Sequence, residues 1–150
     1  MEAIELRRIE KADLGFVVHI PDDWQEFPPQ LTNSPFEVAR FHYRDGGRHV
    51  CLVFRQPGST DLDPHIPAEE ERDILERKSF EHFSFEDLEI AGRPAVRMDF
   101  DRADLPIGMW WAREYFVVAR NLVYILGLGS TDIVGDQALF DGMAEHFEVL

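Results

Sequence analysis

A chain of 150 residues with 45% hydrophobic and 12% aromatic content has the length of one domain and enough apolar mass for a core without disulfides or a structural metal. Its 15 Lys and Arg against 29 Asp and Glu leave a formal net charge of −14, a field that repels phosphate backbones and anionic lipid heads and so excludes nucleic-acid and membrane-surface partners. The single cysteine, Cys51, excludes an internal disulfide framework.

The first predicted strand alternates Ile4, Leu6 and Arg8 with Glu5 and Arg7. The second covers residues 16–20, and Pro21 ends it because proline has no N–H for a ladder. Residues 27–35, with Pro28, Pro29 and Pro35, read as a loop. Residues 36–44 and 48–56 flank Asp45-Gly46-Gly47, a hairpin signal. A two-residue loop there groups Ala39, Phe41 and Tyr43 with Val50, Leu52 and Phe54 on a core face. The wetter face then carries Val38, Arg40, His42 and Arg44 with His49, Cys51, Val53 and Arg55.

After a loop containing Pro57, Gly58 and Pro64, the pattern predicts a helix from Pro67 to about Phe83. Its first turn would hold Glu69, Glu70 and Glu71, and its stripe Ile74, Leu75, Ser79, His82 and Phe83. Strands follow at 85–90 and 95–101, joined by a Gly92-Arg93-Pro94 turn, with Val96, Met98 and Phe100 on one buried face. A second hairpin joins residues 110–119 to 122–129 through Arg120-Asn121. It pairs Val117 with Tyr124 and Tyr115 with Leu126 on one face, and Val118 with Val123 and Phe116 with Ile125 on the other. Apolar residues on both faces place this pair in the middle of a sheet covered on both sides. A last helix over 136–147 carries the stripe Leu139, Phe140, Met143 and Phe147.

No repeat, low-complexity tract or linker divides the chain, so residues 1–150 read as one domain. The order of elements predicts an α+β fold: a mostly antiparallel sheet of about 6–8 strands built from hairpins and covered by two helices. The opening residues Met1-Glu2-Ala3-Ile4-Glu5 match neither a basic nor an apolar targeting region, and residues 122–128 are far short of the roughly 20 apolar residues a membrane span needs. The expectation is a cytoplasmic protein with a reduced thiol.

Three segments resemble the PsbP-like superfamily. Gly15-Phe16-Val17-Val18-His19-Ile20-Pro21-Asp22-Asp23-Trp24 is similar to its G-F-x-x-x-I-P-x-x-W opening. The turn Ile90-Ala91-Gly92-Arg93-Pro94-Ala95 resembles its I-x-G-x-P-A element, and Leu139-Phe140-Asp141 through Phe147-Glu148-Val149 resembles its closing helix and tail. The superfamily takes in Mog-type Ran-binding proteins, PsbP-type photosystem proteins and Eag-type secretion chaperones. The resemblance implies an α/β/α sandwich that acts as an adaptor, chaperone or assembly factor without catalysis. Its motifs are turn and core chemistry, so no site residue follows from it.

With the two-residue loop, His42, His49 and Cys51 share a strand face, and imidazole and thiolate are zinc ligands. Arg40, Arg44 and Arg55 share that face and oppose a cation, so this small-ligand or metal face is the alternative reading. Cys51 as a nucleophile lacks a helix N-terminus or an oriented imidazole; mid-strand, it reads as a small buried thiol. No G-x-S-x-G elbow occurs, and Gly127-Leu128-Gly129-Ser130 lacks the Lys of a phosphate loop. It reads as a strand packed closely on a neighbour. Glu69-Glu70-Glu71 and Glu86-Asp87-Glu89 read as solvated faces rather than as a hard-cation site. Exposed aromatics beside arginine concentrate at protein interfaces, which makes Trp110, Trp111, Arg113, Tyr115 and Arg97 the candidate partner-binding set. The expectation is therefore a non-enzymatic protein-binding module with no cofactor, monomeric or weakly dimeric, offering a sheet face or groove to a protein.

Overall fold

A computed structural model describes residues 5–150; Ile4 of the first predicted strand lies outside them. The elements in chain order are β1 Leu6–Lys11, β2 Phe16–Pro21, β3 Gln25–Phe27, β4 Glu37–His42, β5 His49–Pro57, α1 His65–Glu76, β6 Glu81–Ile90, β7 Arg93–Leu105, β8 Gly108–Ala119, β9 Leu122–Ser130, α2 Ile133–Glu145 and β10 Glu148–Val149. Every strand pair is antiparallel. The strands divide into a seven-stranded sheet, β3-β4-β5-β9-β8-β7-β6, and a three-stranded sheet, β1-β2-β10. The α+β class and the hairpin construction are as expected. The separate small sheet and the short β3, which pairs with β4 ahead of the proline-rich loop, were not foreseen.

The β8–β9 hairpin forms in the predicted register, with Val117 opposite Tyr124 and Phe116 opposite Ile125. Arg120 and Asn121 both take positive φ, 55° and 63°, the conformation a two-residue hairpin turn demands. Its two apolar faces put β9 in mid-sheet, between β5 and β8. The β6–β7 turn sits one residue earlier than predicted. Ala91 and Gly92 take φ of 53° and 73°, and Arg93 and Pro94 already belong to β7. Pro94 lies just before β8 begins to pair with β7 at Ala95, so its missing N–H breaks no ladder.

The β4–β5 register corrects the sequence reading. Arg40 lies opposite Leu52, Phe41 opposite Cys51 and His42 opposite Val50. The connection contains an odd number of residues: Gly46 and Gly47 take φ of 72° and 81°, and Asp45 Oδ1 accepts the Arg48 N–H at 3.1 Å. One residue of slip exchanges the faces. Ala39, Phe41, Cys51 and Val53 now form one buried row, and His42, Val50 and Leu52 lie on the other face.

The first helix is also shorter than its stripe suggested. It starts at His65, two residues before Pro67, which leaves Glu69, Glu70 and Glu71 beyond its first turn. It stops at Glu76, where the Phe80 N–H returns to the Leu75 carbonyl at 3.1 Å and Ser79 takes φ of 73°. Phe80 and Phe83, the second of them counted in the helical stripe, instead pack their rings on Phe100 at 5.3 and 5.4 Å. The last helix begins three residues early, because Asp132 caps it by accepting the Gly135 N–H. Leu139, Phe140, Met143 and Phe147 are buried as predicted.

Two cores result. On one face of the large sheet, the small sheet and α2 bury Phe16, Val18, Ile20, Phe140 and Phe147 against Phe41, Val53, Tyr115 and Leu126. On the other, α1 contributes Ala68 and Leu75 over Met98, Phe116 and Ile125. The small sheet and α2 roof the first face. The second is roofed only over β7 and β8.

Candidate functional site

The unroofed half of the α1 face is a groove of about 600 Å³. Its floor is the β5-β9-β8 stretch, where alternation presents Leu52, Phe54, Ile125 and Ala112. One wall is Ile74 and Leu75 of α1 with Phe80 behind them; the other is the segment 33–36, ending in Phe36. Ile74 and Phe36 are both exposed, at 39% and 40%, one on each lip. The depth comes from two glycines of β9. Glu114 lies over Gly127, and the Trp110 indole covers Gly129 so closely that a Cβ there would sit 2.1 Å from its Cζ2. The Gly127-Leu128-Gly129 run, read from sequence as a strand packed closely on a neighbour, is a floor on which the Trp110 and Glu114 side chains rest.

The charged groups lining this groove are Glu71, Lys78, Arg102 and Glu114. Arg102 is held by Asp104 and stacks over the Phe80 ring at 5.4 Å. Glu114 is different: its Oε1 is out of contact with solvent and has no hydrogen-bond partner. Burial, with the Glu71 charge added, pushes its carboxyl well above the usual range. Burial raises Glu71 as well, against the pull of Lys78.

The 33–36 wall is tied down by a residue that sequence reasoning missed. The Glu37 side chain is fully buried and accepts from the Gln30 N–H at 2.6 Å, Asn33 Nδ2 at 2.9 Å, and Arg40 Nε and Nη2 at 2.8 and 2.7 Å. Burial alone would raise its carboxyl, but these donors outweigh it and hold it below the usual range. Its only sequence signal was an acid three residues before an arginine.

The structure separates the predicted metal face. His42 stacks on Phe27 with ring centroids 3.8 Å apart, on the opposite side of the sheet from Cys51. Cys51 is fully buried, and burial pushes its thiol far up. Among the described residues no group of three His, Cys, Asp or Glu is placed to hold a metal. Glu86 is engaged by Arg97 at 2.7 Å and Asp87 by His65, so that acidic run is a set of paired surface charges. The candidate partner set also divides. Trp110 lines the groove, whereas Trp111 and Arg113 line a smaller hollow of about 200 Å³ on the α2 face. Arg113 is buried between Asp99 at 2.7 Å and Asp141 at 3.1 Å, Arg97 reaches Asp99 at 3.0 Å, and Tyr115 lies in the core.

His49 holds the far end of the α2 face. Its Nδ1 meets Asp45, and its Nε2 meets Asp136 of α2 at 2.7 Å. Ser130 donates to the same Asp136, so the carboxylate stands between hydroxyl and imidazole and the serine is not activated by the histidine. Burial works against the imidazolium, but the bonds and charges of Asp45 and Asp136 outweigh it and raise His49 above its ordinary value of 6.5. A raised folded-state value gives stabilisation that is complete below the unfolded value and is lost as pH rises through the folded one. Thermal melts of wild type and His49→Gln are therefore expected to differ most near about pH 6 and to converge as pH rises past the raised value. A gap that widens with pH would contradict this clamp.

No family model and no curated protein matches the chain by sequence. Solved structures match it in fold. The cyanobacterial PsbP protein CyanoP of Synechocystis sp. PCC 6803 superposes with a TM-score of 0.75 at 13% identity, over 99% of this chain and 95% of that one. LpqN of Mycobacterium tuberculosis, described as involved in cell envelope biogenesis, gives 0.60 at 17% identity, over 99% and 92%. The Ran-binding protein Mog1p of Saccharomyces cerevisiae gives 0.60 at 10% identity, over 98% and 96%. The chain therefore has the PsbP/Mog1-like fold that its opening, turn and closing motifs suggested. Among the described residues no helix is long and apolar enough to cross a membrane.

Proposed function

We propose that this chain is a non-catalytic binding module that takes an apolar segment of a protein partner into the groove between α1 and the 33–36 wall. The observation that carries this reading is the half-roofed sheet: the small sheet and α2 cover the other face apart from a small hollow, while Leu52, Phe54 and Trp110 line an open trough between two apolar lips. Two facts lend support. The fold is shared with a protein named for binding Ran, and the polar clusters outside the groove are engaged in structural pairs. Trp111 and Arg113, lining the hollow on the α2 face, form the rival surface.

Recovery of proteins from the source cells separates the two faces. Wild type, Leu52→Glu and Trp111→Ala serve as baits, each shown to melt cooperatively. Proteins held by wild type are expected to be lost with Leu52→Glu, which sets a charge on the groove floor, and kept with Trp111→Ala. The reverse pattern moves the partner to the α2 face, and equal recovery by all three removes the groove reading.

A further inference from the structure

The groove has one unmet requirement. Glu114 Oε1 is buried with no donor, and Glu71 shares the same space. A buried carboxyl oxygen without a partner is costly, and polar groups in native structures are seldom left so. The groups facing it do not supply the donor. From β7, Arg102 is committed to Asp104 and the Phe80 face. Lys78, in the turn behind α1, is exposed and acts on Glu71. Gly127 and Gly129 of β9, Leu52 and Phe54 of β5, and Asn33 and Ser34 of the opposite wall bring no charge. None of these groups lies within hydrogen-bond reach of Glu114 Oε1, so an occupant of the groove can supply the donor.

We infer that the segment entering the groove carries a lysine or arginine whose charged end meets Glu114 and whose methylenes lie along Trp110. This rests on the binding reading above and adds the chemistry of the occupant. Three observations select a cation over a neutral donor. Two carboxyls converge on one space, which one positive charge relieves and a neutral amide does not. The walls are aromatic, with Trp110, Phe54, Phe80 and Phe100 around the acids, and ring faces attract ammonium and guanidinium groups. The whole chain carries a net charge of −14, which steers basic partners toward it. A side chain with an aliphatic stem fits better than a bare ion, because the lining is mostly apolar and only two carboxyls are at hand. In the empty groove burial and the Glu71 charge favour the protonated form of Glu114. The arriving cation displaces that proton to solvent, leaving a carboxylate that accepts its hydrogen bonds.

Selection from a displayed library of random peptides of about 7 residues tests this, with the full chain as wild type, Glu114→Gln and Leu52→Glu. Wild type is expected to enrich peptides with Lys or Arg flanked by apolar residues about tenfold over the library; Glu114→Gln is expected to enrich apolar peptides without that preference. A selected lysine peptide should bind wild type more tightly as pH rises, because binding releases the Glu114 proton, and Glu114→Gln with no such trend. The same basic preference on Glu114→Gln, or none on wild type, overturns the cation and leaves the groove reading in place. Enrichment by wild type no greater than by Leu52→Glu overturns the groove reading itself.

Discussion

Glu37→Ala is expected to lower stability by about 3–5 kcal/mol, the range seen when one partner of a buried ion pair is removed and the other is left behind. Arg40, with only 13% of its side chain exposed, would keep its charge and lose its bidentate acceptor. The Gln30 N–H and Asn33 amide would lose theirs as well. Glu37→Gln keeps the shape and half the acceptors, so it should cost less. Because the folded-state value of Glu37 lies below 4.5, its contribution is present above the unfolded value and lost as pH falls through the folded one. Denaturant melts of wild type and Glu37→Gln should therefore converge in acid. A Glu37→Ala protein within about 1 kcal/mol of wild type would mean that the wall does not depend on this carboxylate. The same residue links stability to function: its acceptors hold the segment that ends in Phe36, one lip of the groove.

The two hairpins show what the sequence could and could not reveal. In β8–β9, the Arg120-Asn121 turn and the alternation agreed on one register, and that register already placed Ala112 opposite Gly129 and Glu114 opposite Gly127. The register was therefore legible, but the apolar faces implied cover on both sides, and the open face over β5, β9 and β8 with Glu114 on it was not foreseen. In β4–β5 both faces of β5 are apolar, Val50, Leu52 and Phe54 on one and Cys51 and Val53 on the other. Hydrophobic pattern cannot then distinguish an even loop from an odd one, and Asp45-Gly46-Gly47 permits either. That single ambiguity created the apparent His42, His49 and Cys51 cluster. The helix α1 failed for a related reason: Ile74, Leu75 and Phe83 fit helical spacing, while Phe83 and Phe85 fit a strand equally well. The Glu37 clamp was hard to read because an acid three residues before an arginine is a common spacing that says nothing of burial, and only the assembled layers bring Asp136 to His49.

Phe16→Ala is the other substitution expected to cost about 3–5 kcal/mol, as a fully buried aromatic ring replaced by a methyl group. The site is poorly able to collapse. Phe16 stands on β2, opposite Lys11 of β1 and Val149 of β10. Its ring meets Tyr124 of β9 edge-on at 6.4 Å and stacks on Phe147 beyond α2 at 6.0 Å. Tyr124 and Phe147 thus pack on the ring from β9 and from the residues after α2. The chain is also pinned beside it. Gly15 takes φ of 82°, its carbonyl accepts the Leu150 N–H at 2.8 Å, and the Tyr124 hydroxyl donates to the Leu14 carbonyl at 3.2 Å. Phe16→Leu, which keeps more of the volume, should lose markedly less. Urea unfolding checks both, with the midpoint moving and the slope unchanged. The result also bears on function. Phe16 belongs to the α2-side core, across the large sheet from Leu52 and Trp110. Peptide capture by the folded fraction of Phe16→Ala should survive its loss of stability, as it should not in Leu52→Glu. If Phe16→Ala abolished capture while still folded, the groove and the sealed core would not be the independent layers described above.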